Sequence, residues 1–147
     1  MINELASDFS ILMEENHLDR ALKKILKFSA HFNQYFQHKE PWKNGSGTNS
    51  CVFLSVNAVR SLAIAVYPFL PDASQKIWSQ LGLEGDVSTQ KFGEISNITL
   101  KQGHKLGSVS PLFGKVEESI IEKQKSKLGE IIYIEKDFST YIYQRIL

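Results

Sequence analysis

The sequence predicts an all-α protein: a helical bundle of about four to five helices with a less regular C-terminal extension. Apolar residues recur at helical spacing over residues 2–14 and again over 17–38. A third segment, 50–67, is apolar on nearly every face, as is typical of a helix in the middle of a bundle.

The first two helices are predicted from their apolar positions and from their flanks. The first helix, 2–14, carries its apolar stripe at Ile2, Leu5, Ala6, Phe9, Leu12 and Met13. Asn16, followed three residues later by Asp19, has the spacing of a capping box and predicts the start of the second helix, 17–38. Pro41 disfavours a helical residue before it and therefore predicts the end of that helix.

The middle of the chain is predicted to contain a turn and two further helices. Residues 44–47 favour a turn, with Thr48 or Asn49 as a cap for the apolar helix 50–67. Asn57 and Arg60 interrupt the apolar surface of this helix, so we expect both to reach its edge. After this helix the chain has a corner with a proline at each end.

Pro68 and Pro71 flank that corner, and Pro71 suits the first turn of a short helix over 71–81. Gly82 is placed to end this helix. Beyond it, residues 84–110 are rich in Gly, Ser, Thr and Asn, which predicts a long connection with one short strand. A last helix is predicted over 114–128, and the tail 131–147 fits either a strand or a helix. We therefore expect a helical domain over 1–113 and a C-terminal extension over 114–147.

Composition and motifs exclude several classes of function. The formal charge of +1 gives no general attraction for nucleic acid, and the single Cys51, with its apolar flanks, predicts a buried thiol without a disulfide. No apolar run approaches the ~20 residues that span a bilayer, and the N-terminus lacks the pattern of a signal peptide, so the expected location is the cytoplasm. The sequence also lacks a nucleotide-binding loop and the ligand spacing of a zinc site.

The most informative segment is Glu40-Pro41-Trp42-Lys43, where a tryptophan directly follows a helix-ending proline. Its indole either packs on its own bundle or presents a flat face on which an unpaired RNA base stacks. Lys39 and Lys43 flank it, and each is placed to neutralise a neighbouring phosphate. The residues alone favour packing and leave stacking open.

The order of several short motifs resembles the anticodon-binding domain of methionyl-tRNA synthetase, in particular its archaeal and eukaryotic forms. The resemblance covers about residues 1–116, and its motifs are Asn33-x-Tyr35, Glu40-Pro41-Trp42, Leu62-Ala63-Ile64, Pro68-Phe69-Leu70-Pro71, Leu81-Gly82 and Pro111-Leu112-Phe113. The proline-flanked corner alone is unspecific, because other synthetases of the same class share it. Its combination with the upstream and downstream motifs is fairly specific.

The resemblance implies a helical bundle that binds the anticodon stem-loop of methionine tRNA. In this family the tryptophan after the proline stacks on the wobble cytosine of the CAU anticodon, and that role maps onto Trp42. Asn33 is assigned to the same RNA site, mainly as a side chain whose hydrogen bond holds the helix exit. Tyr35 is expected to pack with its hydroxyl at the rim.

The sequence also departs from the family pattern. The family uses an Asn and an Arg on a preceding helix to recognise the anticodon, and no Asn-x-x-x-Arg pattern occurs before Phe9. The printed residues also lack the nucleotide signatures of the family's catalytic domain. We therefore expect no cofactor in this chain, because ATP and any zinc would belong to the catalytic domain. Alone, the chain is expected to be inactive and to bind RNA weakly.

An alternative function is a structural or protein-docking helical domain that has lost contact with RNA. The near-neutral charge favours it. The docking surface would lie within 114–147, where Ile131, Ile132, Tyr141 and Tyr143 would contact a partner such as a synthetase catalytic domain. The expected partners are thus methionine tRNA and a catalytic domain, without a membrane.

Overall fold

The computed structural model describes residues 2–128 and is built from helices. The α-helices are α1 (Ile2–Glu14), α2 (Leu18–Lys39), α3 (Thr48–Val66), α4 (Pro71–Gln80) and α5 (118–128). No β-strand occurs among the described residues, so the prediction of an all-α bundle is confirmed and the short strand expected within 84–110 is wrong. Two 3-10 turns, Val87–Thr89 and Phe92–Ser96, occupy that connection instead.

The chain divides into two compact units, the first ending at Leu112 and the second beginning at Phe113. The first unit contains α1 to α4, and the second contains α5, which begins four residues later than the helix predicted over 114–128. The tail 131–147, including the proposed docking residues Ile131, Ile132, Tyr141 and Tyr143, lies outside the described residues. Its docking role stays a prediction.

The hydrophobic core of the first unit joins all four of its helices to the irregular connection. Within this unit, α3 packs against α1, α2 and α4. Phe9 and Ile64 are fully buried together with Ile95 of the connection, and the Phe9 ring meets Phe92 edge-on with centroids 5.1 Å apart. The connection therefore supplies one wall of the core, although its sequence shows no helical periodicity.

The link between α1 and α2 differs from the predicted capping box. Asn16 has a left-handed backbone (φ 59°), and His17 is the residue that precedes α2, without a side-chain hydrogen bond to the helix. The Asn16 and His17 N–H groups close the end of α1 by donating to Met13 and Leu12. Asparagine tolerates the left-handed region, so it serves here as a turn residue and not as a cap.

Asn57 and Arg60 of α3 are buried, which corrects the expectation that they reach the edge of this helix. The Asn57 side chain forms two hydrogen bonds with the backbone of Leu100, each 3.1 Å long. Arg60 Nη1 donates to the carbonyls of Glu94 and Asn97, at 2.9 and 3.2 Å. Irregular backbone that lies against a core must have its polar groups satisfied, and these side chains satisfy them.

The corner and end of α4 follow the sequence prediction. Pro71 stands in the first turn, and the left-handed Gly82 (φ 69°) follows the helix. A Cβ atom at Gly82 would lie 2.4 Å from the carbonyl oxygen of Lys105. Glycine is therefore required by the approach of a second backbone segment as well as by its own conformation.

By length and composition α3 is able to cross a membrane, contrary to the expectation that no apolar run is long enough. A core helix passes the same test, and α3 contacts three other helices within its unit. The hydrogen bonds of Asn57 and Arg60 join this helix to the irregular connection within the first unit. The expected cytoplasmic location stays a prediction.

Candidate nucleic-acid interface

The end of α2 is a sharp exit formed by two left-handed residues. Glu40 has φ 44° and donates its N–H to the carbonyl of Phe36 at 3.1 Å. Pro41–Lys43 then form a 3-10 turn, and Asn44 is again left-handed (φ 51°). The helix ends before Pro41 as predicted. Left-handed backbone has a conformational cost for residues other than glycine, so it persists only where surrounding contacts hold it. The exit is therefore a defined turn.

Trp42 lies on the surface of this exit. The residue is 54% exposed, whereas the preceding Pro41 is buried. The indole packs against the ring of Phe36, with ring centroids 6.0 Å apart and ring planes inclined by 52°. Contact with one aromatic neighbour orients the ring while more than half of the residue stays accessible. The arrangement can therefore present an apolar, aromatic surface to a ligand.

The two lysines beside Trp42 differ in their surroundings. Lys43 Nζ lies 2.9 Å from a carboxylate oxygen of Glu40 and forms an exposed ion pair with it. Lys39, the last residue of α2, is exposed and has no ion pair within residues 2–128. Lys39 is thus directly available to a phosphate, whereas Lys43 must first share or leave its carboxylate partner.

Asn33 lies on the exposed surface of α2. No side-chain hydrogen bond joins it to the part of the chain that the structure describes. The helix exit is held instead by the Glu40 backbone and by Thr48, whose hydroxyl donates to the carbonyls of Gly45 at 2.9 Å and of Pro41 at 3.5 Å. The assignment of Asn33 to the RNA site stays a prediction.

Tyr35 lies on another side of α2, next to α3. It is half-buried, with its ring centroid 6.1 Å from that of Phe32. Burial raises the pKa of the Tyr35 hydroxyl, with a smaller contribution from the neighbouring Cys51. Cys51 itself is buried and free, as the sequence predicted. This pair packs α2 against α3 and is separate from the Trp42 surface.

Two residues of this exit, Phe36 and Glu40, were not predicted to belong to the site. Their positions contained a usable signal, because Phe36 lies in the last turn of α2 and Glu40 directly follows that helix, two residues before Trp42. Among the described residues, no three His, Cys, Asp or Glu side chains are grouped as metal ligands would be.

Comparison with known proteins gives one consistent family. The family described as the anticodon binding domain of methionyl tRNA ligase matches residues 1–131. The methionine–tRNA ligase of Saccharolobus islandicus is 32% identical over 136 residues, which cover 89% of this chain and 24% of the relative. The methionine–tRNA ligase of Pyrococcus furiosus is 39% identical over 114 residues, covering 75% of this chain and 15% of the relative.

A third relative, the methionine–tRNA ligase of Fusobacterium nucleatum, is 31% identical over 132 residues, or 85% of this chain and 20% of the relative. The chain thus spans a quarter or less of the length of these three relatives. The family match extends beyond the residues that carry the motif resemblance and includes all five helices. The chain belongs to the family of methionyl-tRNA ligase anticodon-binding domains.

Proposed function

We propose that this chain binds the anticodon stem-loop of methionine tRNA and that Trp42 stacks on the cytosine of the CAU anticodon. The observation that carries the proposal is the half-exposed indole at a fixed helix exit. Family membership supplies the class of ligand. The indole supplies the surface on which an unpaired base fits.

The site is preorganised, because the position of Trp42 is set before RNA binds. Base–aromatic stacking contributes ~1–3 kcal/mol per base. The exit positions Trp42 through the left-handed Glu40 and the ring of Phe36, so little conformational freedom is lost on binding. Most of the stacking energy is then available as affinity.

Electrostatic attraction supplies a smaller part of the binding energy. Lys39, three residues before Trp42, has no carboxylate partner within residues 2–128, and the whole chain carries a formal charge of only +1. Each phosphate neutralised on single-stranded RNA contributes a slope of about −0.7 to a plot of log K against log salt. We expect a shallow slope, equivalent to one or two phosphates, and weak binding overall.

The direct test compares Trp42→Ala with Ile11→Ala, a matched control that also truncates a half-exposed apolar residue. Anisotropy with a labelled CAU stem-loop measures the dissociation constant of each variant. We expect Trp42→Ala to weaken binding about tenfold, because one stacked base is lost. Ile11→Ala should stay close to the parent. Equal affinity of Trp42→Ala and the parent would remove the proposal.

We further propose that this binding serves ATP-dependent ligation of methionine to tRNA by a synthetase of which such a domain forms the C-terminal part. The printed name of the relatives, methionine–tRNA ligase, supports this. ATP and any zinc would bind to the catalytic domain. Addition of this chain to a catalytic domain in trans, with aminoacylation as the readout, tests the idea.

A second candidate function, docking to a synthetase catalytic domain, is favoured by an apolar stripe on α2. Leu18, Leu22 and Leu26 are four residues apart, share one face of the helix and are each substantially exposed. Analytical ultracentrifugation distinguishes the two functions. A monomer whose sedimentation changes only on addition of tRNA would argue against docking as the main role.

A further inference from the structure

Glu40 and Lys43 form an ion pair that spans Trp42. Their side chains come from residues on either side of the tryptophan and meet at 2.9 Å across the 3-10 turn. A carboxylate is a pure hydrogen-bond acceptor and an ammonium is a pure donor. The pair therefore presents one acceptor and one donor, side by side, at the same exit as the indole.

An acceptor next to a donor is complementary to a base edge that presents an amino donor next to a ring-nitrogen acceptor. Cytosine presents an amino donor at N4 next to an acceptor at N3, whereas uracil presents an acceptor at O4 next to a donor at N3. In one orientation of the base, the Glu40 carboxylate would accept from the cytosine amino group while the Lys43 ammonium would donate to N3. With uracil in the same orientation, each charged group would face an atom of its own kind, and neither hydrogen bond would form.

We propose that Glu40 and Lys43 bind the Watson–Crick edge of the base that stacks on Trp42 and select cytosine over uracil. The inference rests on the proposed RNA-binding function and adds specificity to it. Adenine has the same donor and acceptor order as cytosine, so the pair separates amino bases from keto bases. Adenine would have to be excluded by its larger, two-ring base.

Stability alone does not account for this pair. Its side chains are 44% and 65% exposed, and ion pairs at such positions contribute little to the stability of the fold. Lys43 also offsets the repulsion that a lone carboxylate would exert on RNA phosphates. The Glu40 backbone is fixed by its hydrogen bond to Phe36, which limits the positions that its carboxylate can take.

The test measures the affinity of each variant for two stem-loops that differ only in the first anticodon base, CAU and UAU. Because well-placed edge contacts discriminate between bases, we expect the parent to prefer CAU by roughly tenfold. In Glu40→Gln the amide both accepts and donates, and the preference should fall to about twofold. Lys43→Met should lower the preference as well. Glu15→Gln, a charge-matched control on an exposed residue, should retain it.

Each outcome bears on a separate claim. A parent without preference, or a preference that survives in both Glu40→Gln and Lys43→Met, would overturn the selectivity proposal while the stacking role stands if Trp42→Ala still loses binding. Loss of binding in Trp42→Ala together with loss of preference in Glu40→Gln supports both. Thermal melting of each variant confirms that the compared proteins are folded.

Discussion

The two tryptophans of this chain occupy opposite environments. Trp78 on α4 is 4% exposed, donates its ring N–H to the carbonyl of Glu84 at 3.2 Å, and lies 5.6 Å from the Arg60 guanidinium carbon. Trp42 is 54% exposed and contacts one aromatic ring, that of Phe36. The folded protein buries nearly the whole surface of Trp78 and less than half of that of Trp42.

This difference separates a structural aromatic residue from one that is available to a ligand. A buried tryptophan stabilises through its apolar area, its hydrogen bond and its cation–π contact. An exposed one leaves apolar area in water, an area that a stacked base would cover. The comparison predicts that loss of Trp78 affects folding and that loss of Trp42 affects binding.

The largest expected effect is that of Trp78→Ala. Truncation of a buried tryptophan removes core contacts and costs about 3–5 kcal/mol in the free energy of unfolding. Urea denaturation followed by circular dichroism measures this change. A loss below about 1 kcal/mol would contradict the structural role of Trp78 and erase the contrast with Trp42.

Arg60→Met tests the group that contacts Trp78. The carbonyls of Glu94 and Asn97 would lose their donor, and an unsatisfied buried group costs about 1–3 kcal/mol. Arg20→Met, on the exposed surface of α2, is the matched control and should change the free energy of unfolding by at most about 0.5 kcal/mol. Equal effects of the two substitutions would show that the buried contacts of Arg60 do not stabilise the connection.

Trp42→Ala should change stability far less than Trp78→Ala does. More than half of the residue is already in water, so we expect a loss of about 1 kcal/mol or less in the free energy of unfolding. The same urea titration checks it. A loss as large as that of Trp78→Ala would assign Trp42 to the fold and weaken the case for an RNA surface.

The smallest effect concerns a contact remote from both tryptophans. Lys24 of α2 pairs with Asp8 of α1, and its hydrogen bond lowers the pKa of Asp8. A carboxyl whose pKa is lower in the folded state adds stability above its unfolded pKa of about 3.9, and this stability is lost as the pH falls through the folded value. Asp8→Asn should therefore flatten the acid limb of a stability–pH curve, measured by urea denaturation. An unchanged acid limb would contradict the shift.

The sequence predicts the helices well because each is a local pattern. Periodicity and proline placement give α1 to α4 to within a few residues, and Gly82 marks the end of α4. The roles of Asn57 and Arg60 are not local, since their backbone partners lie 34 to 43 residues away in the chain. No pattern within α3 reveals that an irregular segment needs donors there.

The site is predictable only in part, for a similar reason. The position of Trp42 after a proline predicts a helix exit, and the family motif predicts its ligand. The left-handed Glu40 is not expected, because a residue before proline favours extended backbone. The ion pair with Lys43 depends on that unexpected conformation, so only the structure places the two charges together.

The most direct measurement of the central claim uses the two tryptophans as separate fluorescent probes. In Trp78→Phe the emission comes from Trp42, and in Trp42→Phe it comes from Trp78. Titration with the CAU stem-loop should quench the emission of Trp78→Phe, because a stacked base contacts the indole, and should leave that of Trp42→Phe almost unchanged. Binding of the stem-loop without quenching of Trp42 would contradict the account.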